Sequence, residues 1–474
     1  MSRLPLLCMM TLWLGLAGGC ESSSRAARRP DAPNIILILA DDQGWTGTSV
    51  EMSDQVTPSR SDYYRTPHLQ RFARDGLRFS QAYAPSPNCS PTRAAIQTGK
   101  SPAALHMTDI INVSEGNPRW TMFYDGLPLR PPRPRNALPN EEVTIAERIK
   151  AERPEYVTAH FGKWHLGGGG PTEHGYDETD GARAWEGAGE ESGNPKDIFG
   201  ITDSAIEFMS ARFDDGRPFF MQVSHFAVHL PLKARPGTIE EYRRRPAGVR
   251  HHHPVHAAMT EDLDAGIGRL LGALDEFDLR DETYVIYASD NGAYTVENIT
   301  NNLPLAKGKA SVWEGGIRTP LIIRGPGVPA NRICDEIVTG VDLFPTISAL
   351  IGLDEPLPEG IEGGDLAPIL FDSLEASISR SRDEFVWHFP HYQTEKGTTP
   401  QSAIRIGDDK LIRLYETGEK YLYDLDRDPG ETVNLVERQP ELAVALEARL
   451  DDYLRAVGAA FPEANLNYSE PETE

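Results

Sequence analysis

The feature that most constrains the fold is a series of four apolar runs that are each followed by polar residues. The first run, Asn34–Ala40, has the pattern of a strand that is buried on both faces of a parallel sheet. The other three runs span residues 156–161, 219–224 and 284–289. Helical patterns lie between the runs, for example an amphipathic one over residues 263–277. This alternation predicts an α/β fold in which a mainly parallel sheet is flanked by helices.

Carboxylates and an amide follow two of these runs. Asp41 and Asp42 come directly after the first run, and Asp290 and Asn291 come directly after the last. Because parallel strands end at the same edge of a sheet, these side chains are expected to lie together. They offer the oxygen ligands that Ca²⁺ and Mg²⁺ prefer, and a dense carboxylate cluster is costly without a cation. The alternative is a set of helix caps and salt bridges, but the sequence favours a divalent metal.

Basic residues and histidines follow the other two runs. Lys163 and His165 lie in a glycine-rich segment after the second run, and His229 follows the third. Lys309 lies in another glycine-rich loop, residues 308–316. Each of these residues could be an ordinary surface or structural residue. Glycine, however, permits the close backbone approach that a shaped binding loop requires, which favours a functional reading.

The segment Asn88–Gly99 combines a lone thiol with a predicted helix start. Pro91 suits the first turn of a helix, so Cys89 is expected at a helix N-terminus, where free backbone N–H groups attract anions. Arg93 adds a cation one turn further on. The alternative is a buried structural cysteine that precedes a helix.

The first 32 residues are expected to direct export. Residues 1–20 carry an early arginine, an apolar core and small residues before Cys20, as a signal peptide does. The end of this segment resembles a bacterial lipobox, which implies lipid attachment at Cys20, and ordinary cleavage and release is the alternative. Residues 21–32 are predicted to form a disordered tether. These features predict a periplasmic or outer-membrane lipoprotein, or a secreted protein.

Charge and cysteine content limit the remaining possibilities. The formal net charge of −24 argues against nucleic-acid binding, and an anionic substrate would need a locally basic pocket. Cys8 would leave with the signal peptide, and Cys20 and Cys89 have other predicted roles. Cys334 is then left without a disulfide partner.

The sequence pattern changes near residue 384. Short strand-like stretches follow, with a turn at residues 407–409, and an amphipathic helical pattern runs from Leu442 to Val457. We therefore predict a catalytic domain over residues 33–380. A small C-terminal subdomain, made of an antiparallel sheet and a helix, is predicted over residues 381–474.

The run from Cys89 to Gly99 resembles the signature of the type I sulfatases of the alkaline phosphatase superfamily, although Thr92 stands where serine is commoner. The resemblance extends from Asn34 to the C-terminus and implies an alkaline-phosphatase-like fold. It implies that Cys89 is oxidised to formylglycine (3-oxoalanine) by a maturation enzyme. It also implies a Ca²⁺ ion, or Mg²⁺, bound by Asp41, Asp42, Cys89, Asp290 and Asn291. The catalytic residues that it implies are Cys89, Arg93, Lys163, His165, His229 and Lys309.

The sequence therefore predicts a sulfatase that removes sulfate from an extracellular sulfated carbohydrate. The expected partners are a sulfated poly- or oligosaccharide and the formylglycine-generating enzyme, with no nucleic acid and with membrane contact only through the lipid anchor. Two alternatives stay open. One is a phosphonate or phosphate monoester hydrolase of the same fold, and the other is a non-catalytic lipoprotein that binds polyanions.

Overall fold

The computed structural model describes residues 32–111, 126–184 and 193–469. The predicted signal peptide, the lipid attachment at Cys20 and all but the last residue of the predicted tether lie outside the described residues. Within the described ranges, the chain forms a large sheet between two layers of helices, followed by a small antiparallel sheet. The predicted α/β class is confirmed.

The strands and helices occur along the chain as follows. The strands are β1 (Asn34–Ala40), β2 (Leu77–Phe79), β3 (Ala82–Tyr83), β4 (Leu129–Arg130), β5 (Val157–Gly162), β6 (Glu178–Thr179), β7 (Phe219–Ser224), β8 (Thr283–Ser289), β9 (Leu321–Arg324), β10 (Arg332–Cys334), β11 (Val338–Thr339), β12 (Phe385–Phe389), β13 (Gln401–Ile406), β14 (Asp409–Leu414), β15 (Lys420–Asp424) and β16 (Glu463–Ala464). The helices are α1 (Pro67–Arg74), α2 (Cys89–Thr98), α3 (Pro102–Leu105), α4 (Ile145–Glu152), α5 (Ile198–Asp215), α6 (Pro236–Arg243), α7 (Pro254–Glu276), α8 (Glu314–Ile317), α9 (Leu343–Leu350), α10 (Ala367–Phe371) and α11 (Pro440–Ala456).

The large sheet has the strand order β10-β2-β9-β8-β1-β7-β5-β6. Its neighbours from β8 to β6 are all parallel, whereas β9 runs antiparallel to both β8 and β2. The four apolar runs of the sequence are β1, β5, β7 and β8. They therefore form the parallel part of the sheet, and their carboxyl ends meet at one edge.

The apolar sequence of β1 reflects its position between two cores. Ile36 and Ile38 face one core, which also contains the buried sides of α1, α5 and α7. Ile35, Leu37 and Leu39 face the other core, with α2, α4 and α9. Since successive strand residues point to opposite faces, apolar residues are favoured at nearly every position of such a strand.

The small sheet has the strand order β12-β13-β14-β15, and all of its pairs are antiparallel. One face packs against α11 through residues such as Ile404 and Leu450. The other face packs against Val312, Trp313 and Ile317, which follow Lys309 in the chain. This small sheet, which we call the second sheet, thus supports the loop that carries Lys309. The predicted domain division at residue 380 stays a prediction.

The helices of the described ranges include none that is both long enough and apolar enough to cross a membrane.

Candidate active site

The polar residues that follow the parallel strands lie together at the carboxyl edge of the sheet. Ala40 at the end of β1 is paired with Ser289 at the end of β8, so the next residues, Asp41 and Asp290, leave the sheet at the same level. The backbone N–H of Asp42 donates a 3.1 Å hydrogen bond to Asp290 Oδ1. Strand pairing therefore brings together carboxylates that are far apart in the sequence.

Three cations pair with these three carboxylates in the interior. Lys163 Nζ lies 2.5 Å from Asp41 Oδ2, and Lys309 Nζ lies 2.6 Å from Asp42 Oδ1.

Arg93 Nε and Nη2 donate to Asp290 Oδ2 at 2.9 and 2.7 Å. Its Nη1 donates to the carbonyl oxygen of Lys163 at 2.7 Å, which joins α2 to the end of β5. Buried charges of this kind persist only when they are paired.

Three oxygen atoms of this group are nevertheless unsatisfied. Asp41 Oδ1, Asp42 Oδ2 and Asn291 Oδ1 are buried and accept no hydrogen bond from any part of the chain that the structure describes. An unpaired buried acceptor costs about 1–3 kcal/mol, and more when it is charged. Each of the three atoms can therefore accept a ligand from outside the chain, such as a water molecule or an ion.

The arrangement of donor atoms fits a divalent cation. One ligand atom each from Asp41, Asp42, Cys89 and His229 all lie within 4.8 Å of one another. Asn291 is hydrogen-bonded to this group, because its Nδ2 donates to Asp42 Oδ1 at 2.7 Å, and its own side-chain oxygen accepts no hydrogen bond from the described residues. Mostly hard oxygen donors of this kind suit Ca²⁺ or Mg²⁺.

The three carboxylates differ in how strongly their surroundings favour the ionised form. Burial raises the pKa of Asp290 to about 6, with a further rise from Asp41, although Arg93 opposes the change. Burial also opposes the ionisation of Asp41 and Asp42, but the nearby cations lower both pKa values below the usual range, led by Lys163 for Asp41 and by Lys309 for Asp42. A bound cation would favour the ionised form of all three.

Cys89 is the first residue of α2, as its position before Pro91 predicted. Its thiol is 1% exposed, and Lys309 Nζ lies 3.4 Å from Sγ. Burial raises the pKa of Cys89 to about 11, although Lys163 and Lys309 act in the opposite direction. The thiol is therefore neutral near pH 7, and a neutral thiol is a weak nucleophile.

The two candidate histidines have different surroundings. His229 Nδ1 donates to the carbonyl oxygen of Leu230 at 2.6 Å, which turns Nε2 to Asp42 Oδ2 at 3.8 Å. Burial lowers the pKa of His229 to about 4, with a further decrease from Lys309. His165 Nε2 donates to the carbonyl oxygen of Ile111 at 3.0 Å, and burial lowers its pKa well below the usual value.

Gly162 shows why the loop after β5 contains glycine. Its φ is +92°, and a Cβ atom at this position would lie 2.0 Å from the carbonyl oxygen of Ser224. Only glycine allows β5 and β7 to approach so closely while the chain turns to Lys163. The glycine-rich sequence thus has a specific structural cause.

Two further polar or aromatic side chains, Trp387 and His253, have structural roles. Trp387 is buried, and its Nε1 donates to the carbonyl oxygen of Ala84 at 2.9 Å, so the indole joins the small sheet to the segment after β3. His253 accepts a hydrogen bond from the backbone of His256 and caps α7. Cys89 and Cys334 are both free thiols. The cysteines at positions 8 and 20 lie outside the described ranges.

Sequence reasoning missed several residues that border this site. Asp109, Tyr294 and Lys396 are not marked by spacing or by a strand end, and Lys396 lies in the connection between β12 and β13 of the second sheet. Only the packing of that sheet on the first brings it near the others. No pattern in the sequence could have identified it.

Comparisons with known proteins agree on one family. The family model described as Sulfatase matches residues 33–353, and the model of the C-terminal region of N-sulphoglucosamine sulphohydrolase matches residues 308–457. A protein named sulfatase from Formosa agariphila is 29% identical and covers 90% of this chain and 88% of its own length. Human arylsulfatase A is 29% identical and covers 90% of this chain and 86% of its own.

A solved structure shares the fold. It is a complex with its substrate D-glucosamine-2-N,6-O-disulfate, and it superposes with a TM-score of 0.65 at 21% identity, covering 90% of this chain and 98% of its own.

Proposed function

Because the chain belongs to the sulfatase family and hydrolyses sulfate esters, we propose that it acts on an extracellular sulfated carbohydrate with formylglycine at position 89 and a divalent metal. The observation that carries the proposal is the set of three unsatisfied buried oxygens beside Cys89. A cation at this point would be next to the residue that must react. Lys163 and Lys309 flank the same space and can bind an anionic group.

The metal would be held by Asp41, Asp42, Asp290, Asn291 and residue 89, with Ca²⁺ favoured and Mg²⁺ as the alternative. When bound, it supplies positive charge that polarises the sulfuryl oxygens and favours ionisation of an attacking hydroxyl. The carboxylates hold and orient it.

Oxidation of Cys89 to formylglycine would supply a pair of hydroxyl groups that a thiol lacks. A hydrated aldehyde carries two hydroxyls on one carbon, one to attack sulfur and one whose deprotonation expels sulfate by re-forming the carbonyl bond. Arg93 holds one of these hydroxyls in this proposal. It is already fixed by Asp290 and by the carbonyl oxygen of Lys163, so its position costs no reorganisation during the reaction.

The remaining residues manage charge and protons. Lys163 and Lys309 bind sulfuryl oxygens as negative charge develops on them. His229 protonates the departing alcohol, because its Nδ1 is committed to the carbonyl oxygen of Leu230 and its Nε2 faces the site. An incoming sulfate raises the pKa of this imidazole from its low value, since an added anion favours the charged form. His165 assists in proton handling on the nucleophile side.

The carbohydrate substrate and the extracellular location are proposed on different grounds. The relative of known structure takes a sulfated sugar as its substrate. Residues 1–20 have the features of an export signal, and Cys20 is the proposed site of lipid attachment. Export as a lipoprotein would place the enzyme where sulfated polymers are accessible.

The decisive experiment is mass spectrometry of the peptide that carries residue 89, in protein produced together with a formylglycine-generating enzyme. We expect the mass of the aldehyde or its hydrate in active protein. An unmodified thiol in fully active protein would contradict the proposal. Rates on matched sulfate and phosphate esters should favour sulfate, and a preference for phosphate would contradict the assigned substrate class.

A further inference from the structure

The connection between β12 and β13, residues 390–400, brings two polar side chains of the second sheet to the first. His391 Nε2 lies 2.8 Å from Thr108 Oγ1, and its ring is fully buried. Lys396 Nζ lies 5.4 Å from the centroid of the Tyr294 ring. We call this segment the 390–400 loop. It contacts the catalytic part of the chain at two separate points.

The contact at Thr108 adjoins the residue that carries the thiol. Asp109 follows Thr108 and accepts a 3.4 Å hydrogen bond from Asn88 Nδ2. Asn88 immediately precedes Cys89. One end of the 390–400 loop is therefore fixed beside the start of α2.

The contact at Tyr294 adjoins the other side of the site. Tyr294 lies three residues after Asn291 in the sequence. Its neighbour Ala293 accepts a 2.9 Å hydrogen bond from the backbone N–H of Lys309. Tyr294 is half-buried, so part of its surface is exposed to solvent.

Lys396 differs from the other cations of the site in its partners. Lys163 and Lys309 each pair with a buried carboxylate at 2.5 and 2.6 Å. Lys396 Nζ instead donates to Gln393 Oε1 at 2.6 Å and to Glu395 Oε1 at 3.1 Å. The Lys396 side chain is 11% exposed and that of Glu395 is 58% exposed. An ion pair with an exposed carboxylate contributes little and is readily exchanged.

The charge of Lys396 is also incompletely stabilised. Burial lowers the pKa of Lys396 below its usual value, and the charge of Lys309 lowers it further. The protein as a whole carries a net charge of −24, which repels anionic substrates. An anion placed against Lys396 would gain a partner whose charge the protein does not fully compensate.

We propose that Lys396 and the exposed part of Tyr294 form a subsite for a sugar that carries a second anionic group near the scissile sulfate ester. The inference rests on the proposed function, because it concerns the sugar that is released as the alcohol when the sulfate ester is hydrolysed. The anion can be a sulfate or a carboxylate, since an ammonium group binds either one as a point charge. Tyr294 offers an apolar ring face with a polar edge, which suits an amphipathic sugar.

The test is equilibrium binding to the Cys89→Ala protein, which removes turnover. The probes are N-acetylglucosamine 6-sulfate, glucosamine-2-N,6-O-disulfate, and 6-sulfated N-acetylglucosamine linked to glucuronate, measured by calorimetry in the presence of Ca²⁺. We expect the probes with a second anion to bind at least about tenfold more tightly than the monosulfate, as a charge-assisted contact provides. Tighter binding of the disulfate alone identifies a site for a second sulfate. Tighter binding of both the disulfate and the glucuronate-linked probe identifies a general anion site.

Substitutions in the same background separate contact from structure. Lys396→Ala should remove the preference and leave the monosulfate affinity within about twofold, whereas Lys396→Arg should retain most of it. Lys420→Ala is the matched control, because this lysine lies on the same sheet and pairs with Glu447 of α11 at 2.6 Å. The Lys420→Ala substitution should leave the affinities of all three probes unchanged. A preference that survives in Lys396→Ala, or its absence in the starting protein, would overturn the subsite.

Failure of the subsite and failure of the proposed function have different signatures. Sulfate release by the protein with Cys89 intact tests the function. Release without any dependence of binding on Lys396 refutes the subsite alone. Binding that depends on Lys396, in a protein that releases no sulfate from any ester tested, refutes the proposed reaction and leaves an anion-binding site.

Discussion

Two clusters of buried charges in this protein differ in whether all of their side-chain oxygen atoms have hydrogen-bond partners. The catalytic edge consists of Asp41, Asp42, Asp290 and Asn291 with the cations Arg93, Lys163 and Lys309. The inter-sheet cluster consists of Lys410, Glu314 and Glu431, between the loop after β8 and the second sheet. Both clusters place carboxylates and ammonium groups away from water. Only the first has oxygens without partners.

Every carboxylate oxygen of the inter-sheet cluster is satisfied. Lys410 Nζ donates to Glu314 Oε1 at 2.9 Å and to Glu431 Oε1 at 2.8 Å. Glu314 Oε2 accepts from the Tyr83 hydroxyl at 2.6 Å, and Glu431 Oε2 accepts from the backbone of Glu314 at 2.7 Å. The cluster is complete without a ligand, which is what a structural joint between two sheets requires.

Acceptors without partners, and not buried charge itself, distinguish the catalytic edge from the inter-sheet cluster. Burial and ion pairing are common to both clusters, so neither identifies a site. The difference lies in the unsatisfied acceptors of Asp41, Asp42 and Asn291. A fold retains such costly atoms when a bound ligand completes them.

The largest expected effect concerns the two buried free thiols. Cys89→Ala should reduce sulfate release by about 10⁴-fold or more, since removal of a nucleophile has effects of this order. Cys334→Ala is the matched control, because Cys334 is also buried, but it packs in a hydrophobic core and its thiol donates to the carbonyl oxygen of Leu374. It should retain activity, as measured by sulfate release. Equal losses in the two variants would show that the difference between the thiols is not catalytic.

Substitutions in the inter-sheet cluster should lower the stability of the protein rather than its rate of sulfate release. Lys410→Met leaves two buried carboxylates without their shared cation and should lower the free energy of unfolding by about 3–5 kcal/mol. Denaturant titration measures this change. Lys420→Met removes a partly exposed cation from the same sheet and should cost less than about 1 kcal/mol. Similar costs for the two variants would show that burial of Lys410 is not decisive.

Metal addition should distinguish the two clusters. Ca²⁺ at about 100 times its Kd should stabilise the protein by about 2.7 kcal/mol, because it binds only the folded state. A chelator should reverse the effect, as thermal unfolding would show. Asp41→Ala should abolish the Ca²⁺ response and Glu431→Gln should retain it. A response that survives in Asp41→Ala would place the ion elsewhere.

A smaller effect is expected from pH on the inter-sheet cluster. Burial raises the pKa of Glu431 from its ordinary 4.5 to about 7, with Lys410 opposing and Glu314 adding to the rise. A raised carboxyl pKa means that the folded state binds the proton more tightly. This contribution is present below pH 4.5 and is lost as the pH rises through 7.

The matching measurement is urea unfolding of the wild-type protein and of Glu431→Gln between pH 4.5 and 8. The wild-type protein should lose stability relative to the variant over this interval, by roughly 1–2 kcal/mol. A difference that does not change with pH would show that Glu431 titrates normally.

Much of the fold was readable from local patterns. The apolar runs of β1, β5, β7 and β8 predicted a parallel sheet, because a strand between two cores has no polar face. The same logic placed Asp41, Asp42, Asp290 and Asn291 at one edge. Their assignment as metal ligands stays a prediction, as do the roles of Arg93, Lys163, His165, His229 and Lys309.

The sequence by itself determined the sheet, the edge at which polar groups gather and the position of Cys89 at a helix start, because each depends on residues that are neighbours in the chain. Only the tertiary structure decided which oxygens stay unsatisfied, which carboxylate pairs with which cation, and that Lys396 reaches Tyr294 from the second sheet. These features depend on distances between segments that lie more than a hundred residues apart, and such distances follow from packing rather than from local pattern.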